Sequence, residues 1–160
     1  MSKTYISTNL RQAVFDRALG CCEYCLISED LVLATHQIDH VIAEKHGGET
    51  VLENLALSCS LCNQAKGSDI ASIDPDSGDT VRLYNPRKDV WTEHFLFDGE
   101  SGVVEPLTAI GRVTVKLLRL NREGYLPVRK ILAQLELLPK IYTAVINIAL
   151  GTSNLDERQK

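Results

Sequence analysis

No stretch of the chain stays apolar for long. The longest such run near the end, Ile141 to Leu150, is interrupted by Thr and Asn and is too short to cross a bilayer. Met1 to Asn9 is polar and has no apolar signal core. These absences exclude a bilayer-spanning helix as the organising feature and predict a soluble, cytoplasmic protein. Basic residues are not in excess either, and the formal net charge is -4, unusual for a chain that must hold a polyanion. The cysteines do not come in an even set: there are five, which in a secreted chain would leave one thiol over. Internal repeats and low-complexity tracts are lacking as well. What remains is 160 residues, 44% of them hydrophobic, enough for one domain of ordinary size with a small appended part.

The charge is unevenly spread. Residues 1–70 carry 5 Lys and Arg against 9 Asp and Glu, whereas residues 71–160 carry 12 of each. Within the second part, Arg112, Lys116, Arg119, Arg122, Arg129 and Lys130 gather between Gly111 and Lys130 against Glu123 alone. A local basic stripe, not the whole-chain charge, is what would matter to a nucleic acid.

Thr8 to Leu19 reads as a helix, with Thr8 as N-cap, Leu10, Val14 and Ala18 on one face, and Gly20 as the stop. Leu31 to Ile38 has a partial period of two and predicts a strand that delivers Asp39 and His40; Glu44 to Glu53 reads as a loop, Leu55 to Leu57 as a second strand, and Ser60 as the cap of a helix carrying Cys62, Asn63 and Lys66. Ser72 to Thr80 is the clearest turn cluster and predicts a linker over 71–80 between a core at 1–70 and an extension at 81–160. In that extension, short strands are expected at 81–84, 91–97 and 103–107, followed by a helix from Ala109 to Asn121 capped by Thr108 and another from Val128 to Leu137.

Two Cys-x-x-Cys pairs give the strongest chemical signal. Zinc in a structural site takes four soft ligands at tetrahedral corners, and one tight turn supplies two of them. Cys22 with Cys25 and Cys59 with Cys62 form two such knuckles, 33 residues apart, in a chain whose cysteine use suits a reducing compartment. Cys21 could replace Cys22 in a looser knuckle, although Cys22 gives the two-residue spacing twice.

Between the clamps lie Asp39-His40 and Asn54, with Asn63 directly after the second knuckle. Hydrolysis of a phosphodiester needs a divalent cation on a phosphate oxygen, an imidazole to take a proton from water, and a group to orient the imidazole. Asp39 and Asn63 are hard oxygen ligands suited to Mg²⁺ or Mn²⁺, His40 is the natural base, and Asn54 offers a carbonyl to the ring. A regular strand would send Asp39 and His40 to opposite faces, so the strand is expected to end or twist there.

About 45 of the 160 residues, from Cys22 to Lys66, resemble the HNH endonuclease family in its zinc-binding form. The resemblance implies an α+β fold: a ββα-metal core with a structural four-cysteine zinc site, plus a small α+β extension. It implies that Asp39 and Asn63 bind the catalytic metal, that His40 activates water, that Asn54 orients His40, and that cleavage leaves 5′-phosphate and 3′-hydroxyl ends. Asn85-Pro86-Arg87, Trp91, His94-Phe95, Gly111 to Val115 and Leu120-Asn121-Arg122 are similar to a C-terminal extension of short bacterial HNH proteins. DNA, or RNA, is the expected partner. Lys66 and the stripe Arg112, Lys116 and Arg119, at i, i+4 and i+7 of the expected helix, are candidates to touch its phosphates. A zinc-stabilised module that binds nucleic acid or protein without cutting, and an assembly protein using the C-terminal helices, are the rival readings.

Overall fold

Ser7, one residue earlier than expected, caps the first helix: its hydroxyl accepts from the backbone N–H of Leu10 at 3.3 Å, and α1 runs Thr8–Arg17. The computed structural model describes residues 5–137; the run Ile141 to Leu150 and the rest of the expected extension lie outside them. The architecture is α+β, with three antiparallel two-stranded sheets and five helices among the described residues. None of these helices is long and apolar enough to cross a membrane.

The expected strand over 31–38 is mostly not one. Leu31 sits in a 3-10 turn and Leu33 is fully solvent-exposed, 109% on the relative scale, so the apolar rhythm there has no core to face. Glu29 instead accepts from the backbone N–H of His36 and folds this stretch into a loop. The strand begins later: β1 (Gln37–His40) pairs with β2 (Leu55–Ser58), with Asp39 opposite Ala56 and His40 opposite Leu55. Both faces of β2 are buried. Leu55 and Leu57 pack with Ile38, Val14 and Ala18 under α1, while Ala56 joins Tyr24 and the knuckle cysteines on the other side. Cys59, not Ser60, caps α2 (Ser60–Lys66), its Sγ accepting from Cys62 N.

The expected linker is a packed hairpin. β3 (Ala71–Ile73) pairs with β4 (Thr80–Arg82), and Asp74 in the connection is buried, accepting two hydrogen bonds from Arg112 at 2.7 and 2.8 Å. The extension then continues as α3 (Trp91–His94), β5 (Phe95–Phe97) paired with β6 (Val104–Pro106), α4 (Ala109–Leu118) capped by Thr108, and α5 (Leu126–Gln134). It shares its core with the first half. One cluster of buried side chains includes Cys22, Tyr24 and Cys62 together with Trp91, Phe95, Val113 and Leu132.

The Arg112 fork holds the Asp74 carboxyl well below its ordinary 3.8. A carboxyl lowered in the folded state adds stability that is complete above 3.8 and is lost as pH falls from there toward the folded value. The urea midpoint of Asp74→Asn should therefore lie below wild type at neutral pH, with the gap shrinking once the pH drops under 3.8. A gap that stays constant down to strongly acid pH would show that the pair contributes nothing through its charge.

Candidate active site and metal centre

The knuckle Cys22 to Cys25 turns tightly enough for Leu26 N to reach Cys22 O at 2.9 Å, with Leu26 in the left-handed region at φ 68°. That brings both thiols inward against Cys59 and Cys62 on the turn into α2. All four are buried and their sulfurs lie within 4.8 Å of one another, with Cys25 and Cys59 Sγ 3.7 Å apart. A tetrahedral zinc site with ~2.3 Å Zn–S bonds needs sulfurs ~3.8 Å apart, so the set fits that ion. Cys21 stays outside the cluster, bridging to Ser28, and burial pushes its thiol up to about 11. The choice of Cys22 over Cys21 is thereby decided. Within the cluster, hydrogen bonds from Cys22, Cys25 and Cys62 hold the Cys59 thiol far below the usual range, whereas burial pushes Cys25 up.

The period-two alternation of β1 persists through its last residue, so Asp39 and His40 diverge. Asp39 faces Tyr24 and α2. It is 4% exposed, accepts from Tyr24 Oη at 2.6 Å, and is bridged by Lys66 Nζ at 3.2 Å to Oδ1 and 3.1 Å to Oδ2. Burial pushes its carboxyl up, and the Lys66 ammonium pulls it back. His40 turns the other way, and its Nε2 pairs with Thr50 Oγ1 at 2.9 Å. β1 does end at His40, as expected, but the two side chains keep different partners.

Asn54 does not hold the imidazole directly. Its Oδ1 accepts from Ile42 N, and its Nδ2 donates to Ile42 O and Glu49 O, pinning the 42–49 loop to the start of β2. Gly48 permits this, because a Cβ there would run into Ile42 O and the Asn54 amide. Asn63 Nδ2 donates to the side chain of Gln37, at the start of β1, which leaves its carboxamide oxygen as an acceptor.

The profile of the family described as HNH endonuclease matches residues 22–69. Residues 22–69 are an HNH domain. No curated protein and no solved structure matches the chain. The matched span contains both knuckles, the β1–β2 hairpin, the pinned loop and α2.

Lys66 of the HNH domain is not where a phosphate contact was expected. It is 2% exposed, and its Nζ is bound to Asp39 and to His40 O at 3.0 Å. A buried carboxylate needs a cation, and that need outweighs solvation of the lysine. Arg112 is likewise engaged, by Asp74 and Asp76, and α4 ends at Leu118, so Arg119 is a left-handed cap instead of a third residue on the stripe. Lys116 and Arg119 are exposed, and Arg119 lines a groove of about 800 Å³ between the HNH domain's Leu61 and Gln64 and the end of α4. Thr50, Tyr24 and the true role of Lys66 escaped the reading of the sequence; none has a spacing to a partner that one strand or one turn imposes.

Proposed function

We propose that this chain is a metal-dependent endonuclease that hydrolyses phosphodiester bonds of DNA, nicking or cutting with little sequence preference, around a structural zinc site at Cys22, Cys25, Cys59 and Cys62. The observation that carries the reading is His40, at the end of β1 inside the HNH match, with Nε2 engaged by Thr50 and, among the described residues, no hydrogen-bond partner on Nδ1. With Nε2 donating to the Thr50 hydroxyl, Nδ1 keeps its lone pair and is the nitrogen that takes a proton from an attacking water. Asn54 acts one step away, by fixing the loop that precedes Thr50.

Asp39 and Asn63 would hold a divalent cation, since a carboxylate and a carboxamide oxygen suit a hard ion such as Mg²⁺ or Mn²⁺. When bound, such an ion polarises a phosphate oxygen and stabilises the leaving oxygen. Asp39 would exchange the Lys66 ammonium for it, so its buried charge stays neutralised throughout. Of the expected phosphate contacts, Lys116 and Arg119 are exposed and would meet phosphates of the bound strand.

The test is supercoiled plasmid with Mg²⁺ or Mn²⁺, beside His40→Ala and a parallel RNA substrate. Wild type should cut, and the variant should lose about 10²-fold or more in rate while melting normally. Intact plasmid with both ions, or equal cutting by His40→Ala, would overturn the proposal. The Lys66 ammonium on Asp39 favours a second reading, a zinc-stabilised nucleic-acid-binding module without turnover. Retention of DNA without added Mg²⁺ or Mn²⁺, with no product under any ion, would decide for it.

A further inference from the structure

Outside residues 22–69, the chain reaches back to the thiols. Tyr125 closes the 3-10 turn Glu123–Tyr125 just before α5, and its Oη lies 3.2 Å from Cys59 Sγ. Behind its ring stands Arg129, with the guanidinium carbon 5.9 Å from the ring centroid. Arg129 is fully buried. It donates to Gly102 O at 2.7 Å, to Asn121 Oδ1 at 3.3 Å and to Leu120 O, while its Nε is buried without a hydrogen-bond partner. Among the described residues no carboxylate forms an ion pair with it.

A buried guanidinium that meets only neutral acceptors is costly unless a negative charge stands nearby. A buried divalent ion on four thiolates has the complementary problem, since it carries a net local charge of about -2. Donors behind the ligands of a metal site set ligand orientation and basicity. We infer that Tyr125 and Arg129 complete the cysteine metal centre from outside the HNH domain: Tyr125 Oη donates to the Cys59 thiolate, and Arg129 is the buried counter-cation of the cluster. This rests on the reading of the four cysteines as a metal site. Tyr125 and Arg129 are positioning residues, not ligands, and they tie occupancy of the centre to the folding of α5.

Cobalt(II) in the full chain reads this directly. Wild type should show thiolate-to-cobalt charge-transfer bands. Tyr125→Phe, which deletes one oxygen and keeps the ring, should move them to lower energy, because a thiolate without its donor gives up electron density more readily. Competition with a chromophoric chelator should show about a 10-fold loss of zinc affinity in Tyr125→Phe and a similar or larger loss in Arg129→Met, with Arg129→Lys recovering most of it. Bands and affinity in Tyr125→Phe equal to wild type would overturn the inference while leaving the metal site standing. Wild type without thiolate–cobalt bands would remove the metal site and the inference together.

Discussion

Stripping the metal from the cysteine cluster, or replacing Cys59 with Ser, should abolish cooperative melting of the whole described chain, not of the HNH domain alone. Binding energy at a structural zinc site is folding energy, about 10–16 kcal/mol in apparent terms near neutral pH, against a total stability of about 5–15 kcal/mol for a domain. The site's contribution therefore matches or exceeds the margin by which the fold survives. The four thiols share one buried cluster with Trp91, Phe95 and Val113, so the loss should spread into the extension. Cys59→Ser is the sharper probe. Serine is a good N-cap, so α2 keeps the cap that Cys59 Sγ now provides to Cys62 N, and only the sulfur ligand is lost. Far-UV circular dichroism with a chelator titration measures both. A Cys59→Ser protein that melts with wild type would mean the cluster holds no structural ion.

Lys66→Met should be the most damaging substitution away from the cysteines, costing about 3–5 kcal/mol. The lysine is not a strong net stabiliser; its removal leaves the Asp39 carboxylate buried with Tyr24 Oη as its remaining side-chain donor. Desolvation already pushes the Asp39 carboxyl up with Lys66 in place, and without the lysine it should rise further. A carboxyl raised in the folded state costs nothing below its unfolded value and costs progressively more as pH rises through the folded one, so the deficit of Lys66→Met should narrow in acid. Asp39→Asn combined with Lys66→Met keeps an acceptor for Tyr24 and removes both charges. It should recover much of the loss, with a coupling of up to about 3 kcal/mol. Chemical denaturation of the four proteins completes the cycle. A deficit for Lys66→Met no larger than the ~0.5 kcal/mol of a surface change would mean the pair is solvated.

Legibility followed chain distance. The Cys-x-x-Cys knuckles and the Thr108 cap depend on a few bonds of backbone, and each was readable from spacing. Leu31 to Ile38 misled because alternation reports a face only when something packs on it, and Leu33 faces water. The Asp-rich turn at 74–79 looked like a linker because its anchor, Arg112, lies 38 positions on. Lys66 passed for a surface cation because the carboxylate it pairs with arrives on a different element, β1, 27 positions earlier. Asn54 was found as a residue, yet its amide serves the loop backbone and Thr50 takes the imidazole.

The sequence by itself determined the domain family and which four thiols cluster, since these are patterns of residue type at short range. Only the tertiary structure decided that Lys66 meets Asp39, that His40 pairs with Thr50, and that Tyr125 Oη lies 3.2 Å from Cys59 Sγ. A buried polar group must find whichever partner the packing brings within hydrogen-bond reach, and no local spacing encodes that choice.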